Sequence, residues 1–272
     1  MNLRKNLIVL TVVLSGVLAS LLFLNFQEFG KNQKAQILET DNKLSNLPVK
    51  ISKGLVDYFN LNGSGKVIFY EKLDSMVYEA SLDGKSKKEL ARIPGVSEVI
   101  FNPVSLEIIA TIRDTDGLGK SYFNLENNQK IKLDQRIRNA AFSPDGANLA
   151  YFFYDENYNE GNISISKPDG SDFINIFKTR SKNLKILWPA KDLIVFYPET
   201  ENSELSAFSI KPDGKEFKRL MESEYLAYSN QKPKEEILKN LGIEASNIKL
   251  DLLETHLVFI NAKDGKLYSL KI

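Results

Sequence analysis

Residues 142–153 read FSPDGANLAYFF, a tight turn followed by the apolar run LAYFF. In this turn Pro144 presets φ, Asp145 accepts hydrogen bonds from its own backbone, and Gly146 takes the positive φ that reverses the chain. Turns of this kind between apolar and aromatic runs are typical of β-hairpins. The stretch therefore predicts two short antiparallel strands, of which the second is the more apolar.

The aromatic and proline signal of this hairpin recurs on both sides of it. The stretch 101–103 (FNP) begins 41 residues earlier, and 188–190 (WPA) begins 46 residues later. Each leads into another apolar run, at 108–112 and at 193–197. Similar turns at a nearly fixed interval predict a repeat architecture.

A second turn signal runs in parallel at the same interval. Asp-Gly pairs follow alternating runs at 83–84, 169–170 and 213–214. The first two pairs are 86 residues apart, or two steps of 43, and the third follows after 44. The skipped step falls at Asn127, and Asn is the residue next best suited after Gly to a left-handed turn position.

Each period of about 43 residues holds four short strands, which predicts an all-β fold, a β-propeller of four-stranded blades. The region 49–272 is 224 residues long, which gives about five blades. A β-sandwich would also contain many short strands, but it would not repeat its turn types at this interval. The last blade has no obvious fourth strand, so we expect a strand near 49–52 to supply it and close the ring.

The stretches 142–151 (FSPDGANLAY) and 163–171 (ISISKPDGS) resemble the repeat of TolB-type, WD40-like β-propellers. The resemblance covers roughly residues 60–220, and one unit keeps the full Ser-Pro-Asp-Gly. The chain does not resemble TolB itself, which carries a separate α/β domain before its propeller and is released into the periplasm. The resemblance implies an extracytoplasmic propeller that serves as a protein-binding platform, and it carries over no site residue.

Residues 7–24 read LIVLTVVLSGVLASLLFL and carry no charge. As a helix they would span about 27 Å, close to the hydrocarbon core of a bilayer. Arg4 and Lys5 precede them, which favours a cytoplasmic N-terminus and a main domain outside. We predict that residues 1–26 form a cytoplasmic tip and a transmembrane signal anchor. A signal peptide with a cleavage site at 17–19 (VLA), which would leave a secreted or periplasmic protein, and a buried core helix are the alternatives.

The polar stretch 27–48 has sparse apolar residues and predicts a short stalk between the anchor and the domain. The folded domain then covers 49–272. Helical spacing with a Gly stop predicts a helical insertion near 232–242, in the last blade.

Composition excludes several classes of site in this chain. It has no Cys and one His, so disulfides, thiolate metal sites, cysteine nucleophiles and paired-imidazole sites are excluded. A formal net charge of +1 gives no basis for nucleic-acid binding. The loops 155–161 and 114–117 lack ligands that a calcium loop needs, and 62–65 lacks the Lys of a phosphate-binding loop. We predict no catalytic residue, no metal and no cofactor, and interpret His256 as structural.

One charge pattern is a candidate partner-binding face. In a propeller, the loops between second and third strands share a face with the connections between blades. Two such loops, at 155–162 and 198–204, carry six acidic residues and no basic one, and the nearby connections are basic. We predict a face charged in separate zones that binds a partner by electrostatic complementarity, with an ordinary solvated surface as the alternative. The candidate residues are Asp155, Glu156, Glu160, Glu199, Glu201, Glu204, Arg136, Arg138 and Arg180.

Taken together, the patterns predict a single-pass protein of the cytoplasmic membrane, anchored through residues 7–26, with its propeller outside. We expect a non-enzymatic binding or scaffolding role in the cell envelope, with an envelope protein as partner. The alternative is a small-ligand or glycan sensor, or an enzyme, that uses the propeller channel. Convergent polar side chains in the channel would favour that alternative, and an apolar channel would count against it.

Overall fold

The structure, a computed structural model, describes residues 47–115, 117–199, 206–221, 224, 237–251 and 253–272. Within this part of the chain, five antiparallel four-stranded sheets follow one another as the blades of a propeller. The predictions of an all-β fold, of four-stranded blades and of five blades are confirmed.

The strands follow the predicted repeat. The first, β1 (Val49–Lys50), precedes blade 1, which contains β2 (Val56–Leu61), β3 (Val67–Glu71), β4 (Met76–Ala80) and β5 (Lys87–Arg92). Blade 2 contains β6 (Val96–Phe101), β7 (Glu107–Asp114), β8 (Gly117–Asn124) and β9 (Gln129–Lys132). Blade 3 contains β10 (Ile137–Phe142), β11 (Leu149–Asp155), β12 (Glu160–Ser166) and β13 (Ile174–Thr179). Blade 4 contains β14 (Leu184–Ala190), β15 (Leu193–Pro198), β16 (Phe208–Ile210) and β17 (Lys218–Arg219). Blade 5 contains β18 (Ala245–Leu250), β19 (His256–Asn261) and β20 (Leu267–Lys271).

Blade 5 takes its fourth strand from the start of the domain. Strand β1 pairs antiparallel with β20, so that Val49 lies opposite Ser269 and Lys50 opposite Tyr268. The backbone N–H of Ile51 then donates to the carbonyl of Leu267 at 2.8 Å. The predicted closure of the ring by a strand near 49–52 is therefore confirmed.

The core lies between neighbouring blades. Successive residues of a strand point to opposite faces of its sheet, so the second strand of blade 2 sends Ile108 towards blade 1 and Ile109 towards blade 3. Phe152 of blade 3 and Ile194 of blade 4 meet in the same way. Full burial of such a side chain stabilises the fold by about 1.5–3 kcal/mol. This two-sided burial explains why the second strand of each repeat is the most apolar.

The turns between third and fourth strands follow the second predicted signal, with one shift. In blade 2 the left-handed position falls on Asn128, with φ 60°, and not on Asn127. The side chain of Asn124 accepts hydrogen bonds from the N–H groups of Glu126 and Asn127, which places the reversal one residue later. The glycines at the equivalent turns have φ of 69°, 87° and 79° at Gly84, Gly170 and Gly214.

Blade 4 departs from the expected end of its first strand. Strand β14 continues through Trp188 and Pro189, because its pairing with β15 shifts between Leu187 and Ala190. The proline lies in this irregularity, where no ladder hydrogen bond from its nitrogen is needed. In this blade the aromatic and proline signal therefore marks an irregular strand end.

Loops alternate between two faces because successive strands are antiparallel. We call the face with the loops between second and third strands and the connections between blades the upper face, and the opposite one the lower face. Residues 237–240 are helical and belong to the connection from blade 4 to blade 5. The rest of the predicted helical insertion, at 232–236, and the predicted anchor and stalk up to residue 46 lie outside the described residues. Among the helices that are described, none has the length and apolarity needed to cross a bilayer.

Candidate functional site

Arg136 binds two carboxylates on the upper face between blades 2 and 3. Its Nη1 donates to Oδ2 of Asp155 at 2.7 Å, and its Nη2 donates to Oδ2 of Asp134 at 2.7 Å. The guanidinium lies over the ring of Phe153, 4.5 Å from the centroid. Hydrogen bonds from Arg136 hold the pKa of both carboxyl groups below their ordinary values, so both are ionised at neutral pH.

Arg138 connects blade 3 to the start of blade 4. Its Nη2 donates to Oε1 of Glu156 at 2.5 Å, and its Nη1 donates to the carbonyl oxygen of Lys182 and to Oδ1 of Asn183, both at 3.0 Å. The same guanidinium covers the ring of Tyr154 at 4.6 Å. Arg138 is therefore bound to its own chain on several sides.

Two further pairs cross the same surface. Nζ of Lys178 lies 2.6 Å from Oε2 of Glu160, and Nζ of Lys185 lies 3.3 Å from Oε1 of Glu199. The hydrogen bond from Lys178 lowers the pKa of the Glu160 carboxyl group. Exposed pairs of this kind contribute little to stability, because water and salt screen them.

The two charge signs are interleaved on the described part of the upper face. Each acidic candidate within it is paired with a basic side chain, so the expectation of separate acidic and basic zones is not met there. Sequence analysis could not foresee the pairing, because it depends on which residues lie side by side once the strands of a blade pair. Arg180 is exposed, and Glu201 and Glu204 lie outside the described residues.

Three upper-face hairpins carry exposed apolar side chains. Leu73 of blade 1 is 79% exposed, Leu118 of blade 2 is 52% exposed, and Tyr158 of blade 3 is 80% exposed. We call these three residues the apolar tips. Leu73 and Tyr158 lie in the turns, and Leu118 is the second residue of β8. Single exposed apolar residues are common, but the apolar tips belong to the same hairpin of three consecutive blades. Sequence analysis missed them, although a large apolar residue beside polar turn residues could have indicated an exposed contact position.

Each innermost strand carries one polar residue at the same register. These residues, which we call the inner ring, are Tyr58, Glu98, Asn139, Lys185 and Ser246, opposite Tyr70, Thr111, Phe152, Tyr197 and Ile260. Two of them join adjacent blades. The hydroxyl of Tyr58 donates to the carbonyl of Ser97 at 2.7 Å, and Oδ1 of Asn139 accepts from the N–H of Ile186 at 2.8 Å. The inner ring is therefore polar on all five blades.

Glu98 of the inner ring holds a buried ammonium group. Nζ of Lys120 lies 2.9 Å from Oε2 of Glu98 and 2.7 Å from Oγ1 of Thr111. The Lys120 side chain is 4% exposed and that of Glu98 is 33% exposed. Burial raises the pKa of Glu98, but the attraction of Lys120 and the hydrogen bonds from Lys120 and Thr111 outweigh burial and set the pKa below its ordinary value.

His256 lies in a lower-face turn beside Thr255 and Asp251, residue types that also occur in hydrolytic triads. Here Oδ1 of Asp251 accepts from the N–H groups of Thr255 and His256, and Oδ2 accepts from the hydroxyl of Thr255. Nδ1 of His256 lies 2.9 Å from the hydroxyl of Thr255 and 3.6 Å from Oδ2 of Asp251. A triad needs the carboxylate at one ring nitrogen and the hydroxyl at the other, whereas here the same nitrogen faces both groups. The carboxylate closes the turn before β19, and the interpretation of His256 as structural stays a prediction.

The described residues contain no group of three His, Asp or Glu side chains placed to hold a metal ion. The loop at 155–161, considered as a calcium candidate, is a hairpin turn whose first carboxylate is bound to Arg136. The strands beside the other candidate, 114–117, are also joined by a hairpin turn.

No family model and no curated protein matches the chain. Among solved structures, TolB from Acinetobacter baumannii aligns at 10% identity and a TM-score of 0.47, over 81% of this chain and 55% of that protein. An acylaminoacyl peptidase from Pyrococcus horikoshii aligns at 15% identity and 0.44, over 76% of this chain and 35% of the peptidase. A gluconolactonase from Xanthomonas campestris aligns at 11% identity and 0.38, over 79% and 71%. This chain thus spans about half of the TolB and about a third of the peptidase. At these identities and scores the likeness concerns the fold alone and assigns no activity.

Proposed function

We propose that this chain is a non-enzymatic, membrane-anchored propeller that binds an envelope protein through its upper face. The observation that carries the proposal is the set of apolar tips, Leu73, Leu118 and Tyr158, on three consecutive blades. Protein interfaces obtain most of their binding energy from a few apolar and aromatic anchors surrounded by polar groups. The apolar tips, with ion pairs beside them, have this composition.

The loop that carries Tyr158 is held in place by its own hydrogen bonds. Oδ1 of Asp155 accepts from the N–H of Asn157 at 3.0 Å, and the hydroxyl of Tyr154 donates to Oδ1 of Asn159. Arg136 holds the same aspartate from the neighbouring connection. A loop fixed in this way loses little conformational entropy on binding, which favours its use as a contact surface.

The test is affinity capture of the full-length protein from detergent-solubilised native membranes. We expect a stoichiometric partner that is lost when Leu73, Leu118 and Tyr158 are all changed to Ser. The matched control changes Val104 and Leu253 to Ser, because both are exposed apolar residues in lower-face loops. A partner that the triple variant retains, or the absence of any stoichiometric partner, would refute the proposal. Release of the partner by high salt alone would favour the charged residues over the apolar tips.

The membrane location is part of the same proposal and rests on the uncharged segment within 7–26. We propose that this segment stays in the bilayer as an anchor and that 27–48 is the stalk. Extraction of membranes at alkaline pH tests the anchor, since an anchored protein stays in the pellet. A soluble product that begins after residue 19 would show cleavage instead.

A second candidate function is small-ligand binding in the channel, and the inner ring favours it. Glu98 and Lys185 bring opposite charges to two blades that are not neighbours, and each is also paired with a charge of its own blade, Lys120 and Glu199. Such a pair suits a small zwitterion. Thermal unfolding with and without free amino acids tests this candidate, because a ligand that binds the folded state raises the unfolding temperature further as its concentration rises above the dissociation constant. A rise that survives Lys185→Met would refute it.

A further inference from the structure

A cavity of about 410 Å³ lies between blades 2 and 3, and we call it the 2–3 groove. Its floor is the face of blade 3 that blade 2 leaves uncovered. Tyr151, Ser164 and Asn175 lie side by side there on three adjacent strands. The connection between the two blades forms the facing wall through Leu133 and Asp134. Hydroxyl and amide groups are therefore concentrated on one side of a small cavity.

Part of the hydrogen-bonding capacity of this floor is unused. The hydroxyl of Ser164, which is 1% exposed, donates to Oδ1 of Asn175 at 2.6 Å. This bond fixes the orientation of the amide, and within the described residues Nδ2 of Asn175 has no partner. Asn162 lines the same floor with a second amide. An amide held in one orientation offers a ligand a preorganised donor.

An aromatic ring lies at the mouth of the 2–3 groove. Phe173 lines the cavity, is 63% exposed and does not pack in a core between blades. A second ring, Phe153, lines the cavity behind it under the guanidinium of Arg136. Apolar ring faces next to convergent polar groups are typical of small-molecule sites.

The charges around the groove are balanced. Two acidic and two basic side chains line it, Asp134, Asp169, Lys132 and Arg136, and Arg136 is bound to Asp134. Hydrogen bonds from Arg136 lower the pKa of Asp134, and hydrogen bonds from Ser171 lower that of Asp169, so both are ionised acceptors at neutral pH. A ligand that bears a net charge gains nothing from such a rim, whereas hydroxyl groups can donate to both carboxylates.

We propose that the 2–3 groove binds a neutral saccharide of one or two rings. The amides and hydroxyls of the floor and the carboxylates of the rim bind sugar hydroxyl groups, and Phe173 covers the apolar face of a ring. The volume lies within the range of small-molecule sites. This site differs from the proposed upper-face interface, since none of the apolar tips lines it, although Asp134 and Arg136 border both.

The test is saturation-transfer NMR and calorimetry on the full-length protein, in a detergent without a sugar head group. The probes are N-acetylglucosamine, chitobiose, maltose, cellobiose and lactose. We expect at least one of them to bind with a dissociation constant of about 1 mM or below. If none of the five saccharides gives a saturation-transfer signal or a binding isotherm, the proposal is overturned.

Two exposed positions locate the binding site. Phe173→Ala and Asn175→Asp should each weaken binding about tenfold, and the second keeps the acceptor for Ser164 while it removes the amide donor. Ile174→Ala is the matched control, because Ile174 is adjacent, is 56% exposed and lines the separate groove between blades 3 and 4. The assignment to the 2–3 groove would be refuted if Phe173→Ala and Ile174→Ala weakened saccharide binding equally, or if Asn175→Asp left it unchanged. Urea midpoints equal to that of the wild type confirm that each variant is folded.

Discussion

The pair between Glu98 and Lys120 should respond very differently to the loss of either partner. Lys120 is almost fully buried, whereas one third of the Glu98 side chain reaches solvent. Glu98→Leu leaves an ammonium group in the interior with only the hydroxyl of Thr111 beside it. Lys120→Met removes the buried charge and leaves a carboxylate that water can solvate. The destabilised state is thus the one in which the buried charge has lost its counterion.

The magnitudes follow from this asymmetry. Removal of one partner from a buried pair costs about 3–5 kcal/mol, so Glu98→Leu should lose that much stability. For a domain of this size about 1 kcal/mol corresponds to about 2–4 °C, so the unfolding temperature should fall by about 6–20 °C. Lys120→Met should lose about 1 kcal/mol or less, because a partly exposed ion contributes little and a methionine side chain fills the site.

Thermal and urea unfolding followed by circular dichroism measure both changes, and the double variant completes the cycle. The double variant should be close to Lys120→Met and clearly more stable than Glu98→Leu. Equal and small losses in the two single variants would refute the reasoning, since they would mean that the Lys120 ammonium group reaches water. A double variant as unstable as the sum of the single changes would refute the coupling.

Three further comparisons test the turns and the core by urea unfolding. Gly146→Ala should lower the stability by about 3 kcal/mol, because at φ 70° a Cβ would lie 2.1 Å from the side-chain oxygen of Asn102 in the preceding blade. Gly65→Ala, at φ 73° with open space around it, should lower it by about 1 kcal/mol, and similar losses in the two variants would contradict the contact. The pKa of Asp251 lies below its ordinary value, because hydrogen bonds from Thr255 and His256 outweigh the opposite effect of burial. The stabilisation that comes from ionised Asp251 is therefore complete above about pH 4 and is lost as the pH falls through the lower pKa of the folded state. The free energies of unfolding of the wild type and Asp251→Asn should thus differ at pH 7 and converge in acid. Phe196→Ala should lower the stability by about 3–5 kcal/mol, because Phe196 is buried. Phe217 stacks on the same ring but is half exposed, so Phe217→Ala should lower it by about 1 kcal/mol. Equal losses of stability would contradict the role of burial.

The fold could be predicted because the repeat is written in local turn chemistry. An Asp-Gly turn needs only its own residues, and its recurrence at steps of about 43 residues identifies the unit without any long-range information. The closing strand followed from counting strands, since the last blade lacked one. The error in predicting the blade 2 turn also has a local cause. The turn in blade 2 moved from Asn127 to Asn128 because the side chain of Asn124 binds two amides, a contact that spacing does not reveal.

The candidate site was less accessible to sequence reasoning, because it depends on which residues of paired strands lie side by side. The acids at 155–162 look unpaired along the chain, yet Arg136, just before the first strand of blade 3, and Lys178, on its fourth strand, lie beside them once the strands pair. A charge pattern along the sequence therefore does not show which charges are paired at the surface, and our proposal of partner binding rests on the apolar tips instead. The 2–3 groove could not be predicted for the same reason. Asn162 and Asn175 are thirteen residues apart in the sequence, and only the pairing of their strands places both on the same side of the cavity.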